Sequence, residues 1–525
     1  MSDRPGDAAD VASAAAQEAL TAIQAHRGDG RLVIVTRNAV AAVAGDVVDL
    51  AHAAVWGLVR SAQAEHPGRF VLVDADGSWG GELSDESDPV VRRGSLHAPR
   101  LTRVDRPLTP PDGPWRLEDV GTGSIDDLAL VPRSEPTEPL EPGQVRIALR
   151  AAGLNFRDVL IALDVYPGEA LMGGEGAGVV LDVGPGVDRF RPGDRVLGLA
   201  VGAFGPRAVA DHRLLAPVPD GWSSARAAAV PVAFLTAWHG LVDLGRVGPG
   251  DRVLIHSGAG GVGMAAIQLA RHLGAEVFAT ASPGKWDVLR GLGLDDEHIA
   301  SSRTVEFEQR FPLVDVVLNS LADEFTDASL RLLAPGGRFV EMGKTDVRDD
   351  TGVTYRAFDI ADAGPRRLGE ILAGTVRAFA DGVLTPLPID VRGVRDAVDV
   401  FRHMSQARHV GKIVLALPSA LDGTVLITGG TGTLGRAVAA HLVARHGVRR
   451  VVLASRGGGE PPDLDADVRV VACDVSDRAQ VAALVASIPD LTAVVHAAGV
   501  LDDAVVTALT PDRLTAVFDP KARAA

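Results

Sequence analysis

Residues 257–263 read Ser-Gly-Ala-Gly-Gly-Val-Gly, and this stretch decides the fold of the middle of the chain. The pattern predicts a strand just before it, over 252–256, and a helix just after it, over 264–273. Glycines at such a turn let the backbone approach a pyrophosphate, and the N terminus of the following helix supplies free N–H groups. The order of strand, glycine-rich turn and helix therefore predicts a dinucleotide site in a doubly wound α/β fold.

The next predicted strand, 276–280, indicates which dinucleotide binds. A site that prefers NAD ends this strand with a carboxylate that binds the ribose 2′-hydroxyl. Here the strand leads instead to Ser282 and Lys285. Since a hydroxyl and an ammonium suit a 2′-phosphate, we expect NADPH as the cofactor. The alternative is that Lys285 is a solvated lysine at the start of the next helix.

The composition is that of a globular protein with several domains. At about 100–200 residues per domain, 525 residues predict three or four domains. The formal net charge of −16 argues against nucleic acid and anionic membranes as main partners. Cys473 is the single cysteine, which excludes internal disulfides and multi-cysteine metal sites.

We expect a cytoplasmic protein without a membrane span. The longest uncharged stretch, 227–242, is interrupted by Pro231 and His239 and is shorter than the ~20 apolar residues that a membrane helix needs. Residues 1–10 carry acids and lack the order of basic and then apolar residues that marks a secretory signal.

A second glycine-rich turn lies near the end of the chain. Residues 428–435 read Thr-Gly-Gly-Thr-Gly-Thr-Leu-Gly, between a strand that begins at Thr424 and a predicted helix. The following strand ends with Ser455 and Arg456, and the Arg456 guanidinium again favours the 2′-phosphate of NADPH.

Four motifs carry a resemblance to a known family. They are Leu-Asn-Phe-Arg-Asp at 154–158, Gly-Gly-Glu-Gly-Ala-Gly at 173–178, the turn at 257–263, and Phe-Val-Glu-Met-Gly-Lys-Thr-Asp at 339–346. With them, residues ~116–417 resemble the medium-chain dehydrogenase/reductase superfamily, and within it the enoylreductase domain of modular polyketide synthases and animal-type fatty acid synthases.

The flanking segments resemble the two halves of a polyketide synthase ketoreductase, between which such synthases place the enoylreductase. The fold class implied is α/β, with a β-rich substrate lobe and a Rossmann nucleotide lobe between partial Rossmann-like ketoreductase segments. The implied domains are 1–104 (partial ketoreductase structural subdomain), 105–115 (linker), 116–240 with 346–417 (substrate lobe), 241–345 (NADPH-binding lobe) and 418–525 (first part of the ketoreductase catalytic subdomain).

The resemblance also implies catalytic roles. Tyr166 occupies the position of a family tyrosine that influences protonation and points to a 2S product, and Lys344 and Asp359 match a proposed pair of proton donors. The segment between Lys344 and Asp359 is short for the family. Zinc-dependent relatives have a ligand cysteine where this chain has Asn155, so we expect no metal.

The remaining predicted site residues would bind nucleotide. In the central domain they are Asn155, Thr236, Gly258, Ala259, Gly260, Gly261, Val262, Gly263, Ser282, Lys285, Arg303 and Asn319. In the last segment they are Thr428, Gly429, Gly432, Gly435, Arg456 and Asp474.

In the last segment, Leu501–Asp503 resembles a fingerprint of ketoreductases, and Lys521 falls where the family has its active-site lysine. No tyrosine follows Tyr355, so we expect the ketoreductase part to be inactive and at most to bind nucleotide.

The expected activity is NADPH-dependent reduction of an enoyl thioester on an acyl carrier protein, with neighbouring synthase domains as the other partners. Two alternatives stay open: a stand-alone zinc-independent quinone or enoyl reductase, and a non-catalytic scaffold.

Overall fold

The computed structural model describes residues 8–43, 46–77, 79–81, 86, 88–100, 107–111, 113–121, 123–134, 138–168, 170–349, 351–418 and 423–524. The chain divides into two compact units. Unit 1 comprises residues 1–103 and 420–525, and unit 2 comprises residues 104–419.

The helices and strands follow in chain order. The first segment of unit 1 contains α1 (Ala8–Ala25), β1 (Leu32–Thr36), α2 (Leu50–Glu65), β2 (Phe70–Ala75), β3 (Val90–Arg92) and β4 (Ser95–His97). Unit 2 contains β5 (Trp115–Asp119), β6 (Leu128–Pro132), β7 (Gln144–Leu154), α3 (Phe156–Ala162), β8 (Glu175–Val183), β9 (Arg195–Leu199), β10 (Arg207–Asp211), β11 (Leu215–Pro217), α4 (Ser224–Ala228), α5 (Pro231–Trp238), β12 (Arg252–Ile255), α6 (Gly261–His272), β13 (Glu276–Ala281), α7 (Trp286–Gly291), β14 (Ile299–Ser301), α8 (Phe307–Arg310), β15 (Val314–Asn319), α9 (Glu324–Arg331), β16 (Leu333–Glu341), β17 (Thr354–Ala357), α10 (Gly364–Ala380), β18 (Ile389–Gly393), α11 (Ala397–Ser405) and β19 (Lys412–Ala416). The second segment of unit 1 contains β20 (Thr424–Thr428), α12 (Thr433–His446), β21 (Arg450–Ser455), β22 (Asp467–Ala472), α13 (Arg478–Ala486), β23 (Leu491–His496) and α14 (Pro511–Phe518).

Unit 1 is built from two distant segments of the chain. β1 to β4 form one sheet in that order, and the second segment forms a parallel sheet in the order β22, β21, β20, β23. The Gln24 side chain donates to the carbonyl of Val506 (2.9 Å), and the Glu65 carboxylate accepts the N–H of the same residue (2.7 Å). Val506 also packs into the apolar core of the first segment. Val506 and core residues of the first segment such as Leu20 and Phe70 therefore share one core.

The mixed-sheet lobe of unit 2 has the strand order β11, β9, β8, β7, β19, β18, and β10 also pairs with β7. β7 extends to Leu154, and its residues 151–154 are buried and pair with β19. This pairing brings strands from opposite ends of unit 2 side by side. It thereby places Asn155, the residue after β7, next to Lys412, the first residue of β19.

The parallel-sheet lobe of unit 2 has the order β14, β13, β12, β15, β16, β17, and all its pairs are parallel. From the central strand β12, the chain adds β13 and β14 on one side and then β15, β16 and β17 on the other side. Doubly wound folds bind their ligands at the strand where this direction changes. The carboxyl end of β12 leads directly into the glycine-rich turn. The fold therefore places residues 257–263 at this switch point.

One stretch of the described chain, Ser224–Leu244, is long and apolar enough to cross a membrane. In the structure 67% of its most apolar window is buried inside the protein, as in the core helix of a soluble protein.

Candidate active site

The turn at 257–263 forms a tight cradle. Ser257 adopts a left-handed backbone conformation with φ of 55°. Helix α6 begins at Gly261, three residues before the predicted start, so its first turn belongs to the glycine-rich sequence. A Cβ atom on Gly263 would lie 2.7 Å from the Cα of Gly258 and would also overlap the carbonyl oxygen of Ser257. This close packing and the free N–H groups of α6 fit a dinucleotide pyrophosphate.

Backbone hydrogen bonds connect the turn at 257–263 to the mixed-sheet lobe. The carbonyl of Ala259 accepts the N–H of Gly411 (2.9 Å), and Gly260 forms an isolated bridge with the same residue. A Cβ atom on Gly261 would lie 3.1 Å from Cδ of Lys412. The stem of Lys412 therefore lies directly against the nucleotide turn.

Ser282 and Lys285, which are predicted to hold a 2′-phosphate, and Arg303, which is predicted to bind nucleotide, follow β13 and β14. Ser282 follows β13, and Arg303 lies just after β14 and is exposed. The ammonium of half-buried Lys285 donates to the carbonyls of Ala407 (2.7 Å) and His409 (2.6 Å). Burial lowers the pKa of Lys285, and the like charge of Arg303 lowers it further. Two cations that repel each other favour an anion between them.

Asn319, at the end of β15, is held by protein groups. Its amide nitrogen donates to Glu341 (2.6 Å) and to the carbonyl of Leu321 (2.8 Å), and its amide oxygen accepts the N–H of Leu321 (3.2 Å). Burial raises the pKa of Glu341. Both ends of the Asn319 amide are therefore occupied. Thr236 lies half-buried on α5.

Asn155 belongs to a buried network at the junction of the lobes. Its amide nitrogen donates to Glu175 Oε1 (2.8 Å), and its amide oxygen accepts a hydrogen bond from Lys412 Nζ (2.5 Å). Lys412 Nζ also lies 2.6 Å from Glu175 Oε1 and donates to the carbonyl of Leu154 (3.0 Å). The other oxygen of Glu175 accepts the N–H of Val232 (2.7 Å) at the start of α5. The side chain of Asn155 is thus directed into this network.

This network does not suit a zinc ion. Its donors are an amide, a carboxylate and an ammonium, whereas structural and catalytic zinc sites use cysteine, histidine and carboxylate ligands. The Lys412 ammonium already supplies the positive charge beside Glu175. Among the described residues, no group of three or more His, Cys, Asp or Glu side chains could hold a metal.

Tyr166, Lys344 and Asp359 meet in one cluster. The Tyr166 hydroxyl donates to Asp359 Oδ2 (2.9 Å), and Lys344 Nζ lies 3.2 Å from the same oxygen. Lys344 Nζ also donates to the carbonyl of Phe358 (2.6 Å). Lys344 and Asp359 follow β16 and β17, at the carboxyl edge of the parallel sheet that carries the nucleotide turn.

Asp359 is the acceptor at the centre of this cluster. Burial opposes its charge, but the N–H of Ala361, the charge of Lys344 and the Tyr166 hydroxyl outweigh burial and hold the pKa of Asp359 below its usual 3.8. The carboxylate is therefore ionised at neutral pH. It accepts a hydrogen bond from the Tyr166 hydroxyl and pairs with the Lys344 ammonium, and so orients both groups.

The second glycine-rich turn lies in unit 1 at the end of β20. The Thr428 hydroxyl hydrogen-bonds His496 Nδ1 (2.8 Å) and accepts the N–H groups of Ala497 and Ala498 (both 3.2 Å). Gly429 has φ of 63°, and Gly432 is the N-cap of α12.

The other predicted residues of the second turn lie around it. A Cβ on Gly435 would lie 2.6 Å from Cα of Gly430. Arg456 follows β21 and is exposed, and Asp474 accepts the N–H of Ser476 (2.9 Å). Gly435 thus packs against Gly430 as closely as Gly263 packs against Gly258 in the first turn.

Sequence reasoning gave no role to Glu175, Lys412 or Arg157. A signal existed for the first two, because a charge in an apolar buried strand needs a partner. Their pairing depends on β7 lying between β8 and β19, which the sequence does not reveal. Arg157 packs its guanidinium on the ring of Tyr166, 4.7 Å from the ring centroid, and no local pattern indicates this.

Four family models match the chain. Residues 2–101 match the Rossmann fold domain of the polyketide synthase extender module SpnB, and residues 423–525 match a KR domain. Residues 141–220 match the alcohol dehydrogenase GroES-like domain, and residues 294–415 match a zinc-binding dehydrogenase model.

Relatives and solved structures agree with these matches. The chain is 54% identical over 532 residues to the spectinabilin polyketide synthase system protein NorB of Streptomyces orinoci, covering 94% of this chain and 24% of NorB. It spans a quarter or less of the first three curated relatives that it matches.

Among solved structures, CurK enoyl reductase is 37% identical with a TM-score of 0.55, over 58% of this chain and 100% of that one. A mycobacterial protein complexed with NADPH is 27% identical with a TM-score of 0.53, over 58% and 100%. The reductase lies between a segment that matches a polyketide synthase Rossmann fold domain and a segment that matches a KR domain. The chain therefore belongs to the modular polyketide synthases, and its middle part is an enoyl reductase of the medium-chain dehydrogenase/reductase superfamily, an NAD(P)-dependent oxidoreductase.

Proposed function

We propose that unit 2 uses NADPH to reduce the α,β double bond of an enoyl thioester carried by an acyl carrier protein. The observation that carries this proposal is the convergence of Tyr166, Asp359 and Lys344. Two groups that hold protons and one that orients them lie at the carboxyl edge of the sheet with the nucleotide turn. Reduction of a double bond needs such donors, because the reaction ends in a proton transfer to carbon.

Bound NADPH supplies the hydride for the β-carbon of the substrate. The enolate that remains takes a proton at its α-carbon, and Lys344 and Tyr166 are the donors in the cluster. Asp359, being ionised, holds both of them in place. The Lys344 ammonium also balances the negative charge that develops on the thioester oxygen.

The preference for NADPH rests on Ser282, Lys285 and Arg303. Lys285 uses two of its three protons on the carbonyls of Ala407 and His409, so one remains for a phosphate oxygen. Arg303 adds a second, exposed cation. The solved relative complexed with NADPH supports the same cofactor.

We also propose a function for each domain of the chain. Residues 116–240 with 346–417 bind substrate, and residues 241–345 bind nucleotide. Residues 1–104 and 418–525 form a ketoreductase unit. The linker 105–115 connects the first of these segments to the substrate lobe, which begins at residue 116. Both tyrosines of the 525 residues lie in unit 2, so residues 418–525 at most bind nucleotide.

NADPH oxidation, followed by absorbance with a 2-methylcrotonyl pantetheine thioester or a quinone, tests this function. We expect thioester-dependent oxidation that falls at least roughly tenfold in Lys344→Met and is unchanged in Arg366→Ala, a control at the 91% exposed start of α10. Absence of thioester-dependent oxidation overturns the proposal. Oxidation with the quinone alone establishes the quinone reductase alternative.

The carrier protein is tested in the same assay. The same acyl group on a carrier protein should have a lower KM than on free pantetheine. Equal KM values would remove the carrier protein from the proposal while leaving the reduction itself intact.

A further inference from the structure

Arg157 makes two contacts beside the proposed proton donor. It lies in the first turn of α3, and its guanidinium carbon is 4.7 Å from the centroid of the Tyr166 ring. Its Nη1 donates to the carbonyl of Leu171 (3.1 Å). The same side chain therefore contacts the middle and the end of the segment that carries Tyr166.

Tyr166 belongs to the segment between α3 and β8, of which the structure describes residues 163–168 and 170–174. The first part of this segment is fastened by the backbone, because the N–H groups of Val165 and Tyr166 both donate to the carbonyl of Leu160. Beyond them, the Tyr166 hydroxyl reaches Asp359. Between these two attachments the aromatic ring is held by Arg157.

We propose that Arg157 is a positioning residue for Tyr166 and thereby decides on which face the α-carbon is protonated. The guanidinium covers one face of the ring, so the substrate meets the ring only from the opposite face or the hydroxyl edge. A cation over an aromatic face attracts the ring and limits its rotation. This inference rests on the proposed function, since it assigns the geometry of a proton donor.

The chemistry of arginine suits both contacts at once. A planar guanidinium can stack on a ring while one of its N–H groups donates to a carbonyl in another direction, whereas a lysine ammonium offers charge without the plane. Lysine at this position should therefore preserve part of the effect, and an uncharged side chain of similar length should preserve none.

The chain offers a matched control. Arg189 lies 4.7 Å over the ring of Phe190, and its Nη2 donates to the carbonyl of Leu215 (3.2 Å). The Arg189 pair has the same two kinds of contact and does not include Tyr166. Arg189→Met removes as much interaction as Arg157→Met without touching the proposed donor.

The test measures the configuration of the 2-methyl product from 2-methylcrotonyl pantetheine, with kcat and KM, for Arg157→Met, Arg157→Lys, Arg189→Met and Tyr166→Phe in the full chain. We expect Arg157→Met to reduce the ratio of 2S to 2R product roughly two- to fivefold, the fold-change that corresponds to an exposed cation–π contact. Arg157→Lys should recover part of that loss, Arg189→Met should keep the wild-type ratio, and KM for NADPH should not change.

The outcomes separate the two proposals. If Tyr166→Phe shifts the ratio and both Arg157 variants keep it, the role of Arg157 is overturned and that of Tyr166 stands. If Tyr166→Phe keeps the ratio, the donor role of Tyr166 fails and the role of Arg157 fails with it. If Arg157→Met does not fold, Arg157→Lys decides, because an unchanged ratio in that variant also overturns the inference.

Discussion

Lys412 Nζ lies 2.6 Å from Glu175 Oε1, and the two side chains are 4% and 0% exposed. The pair joins the first residue of β19 to the first residue of β8, and Glu175 also holds the start of α5 through Val232. A buried ion pair adds little net stability, because desolvation offsets the attraction. Removing one partner is costly, since it leaves an unpaired charge in the interior.

We expect Glu175→Gln and Lys412→Met each to lower the free energy of unfolding by about 3–5 kcal/mol. The double variant should be less destabilised than the sum, because it buries no charge. Urea unfolding of the three variants measures the coupling. Additive effects in the double variant would show that the two side chains do not act as a pair.

Asp158 should make stability depend on pH. Burial raises the pKa of this carboxyl to about 6, although it accepts the N–H groups of Gly173 and Asn155 (both 2.8 Å). Because the folded-state pKa lies above the ordinary 3.8, the contribution of Asp158 to stability is greatest below pH 4 and is lost as the pH rises to about 6.

The measurement is urea unfolding of the wild type and of Asp158→Asn between pH 4 and pH 7. The free energy of unfolding of the wild type, relative to the variant, should fall by about 2 kcal/mol over this range. A pH-independent difference between the two proteins would mean that Asp158 does not titrate as the structure indicates.

The glycine-rich turn at 257–263 is the part of the site that the sequence predicts best. Strand, turn and helix are adjacent in the chain, so the pattern at 252–273 is sufficient to predict both the local fold and a dinucleotide site. The helix start was wrong by three residues, because glycines inside the first turn of α6 have the same sequence signal as glycines before it.

The rest of the site depends on contacts between distant residues. Tyr166 and Asp359 are 193 positions apart, and only the resemblance to a family connected them. The partner of Lys412 is decided by the order of β8, β7 and β19, which no local pattern contains. A charged residue in an apolar strand thus indicates that it has a partner in the folded protein. The sequence does not indicate which residue that partner is.

Lys285→Ala should raise KM for NADPH by roughly tenfold and KM for NADH much less, because only NADPH carries the 2′-phosphate and a charge-assisted hydrogen bond is lost. Arg290→Ala is the control, since Arg290 lies nearby on α7 and is paired with Asp287 and Asp296. Initial rates with both cofactors measure the effect. An equal rise for NADH and NADPH would assign Lys285 to packing against residues 407–409.

Gly263→Ala should abolish NADPH binding to unit 2. The added methyl group would lie 2.7 Å from the Cα of Gly258 and overlap the carbonyl of Ser257, so the turn must open and move the N–H groups of α6 away from the pyrophosphate. Gly291→Ala is the matched control, because a Cβ there has no heavy atom within 4 Å. Titration of each protein with NADPH, alongside thermal unfolding, separates loss of binding from loss of folding. Wild-type affinity in a folded Gly263→Ala variant would contradict the assignment of this turn to the cofactor.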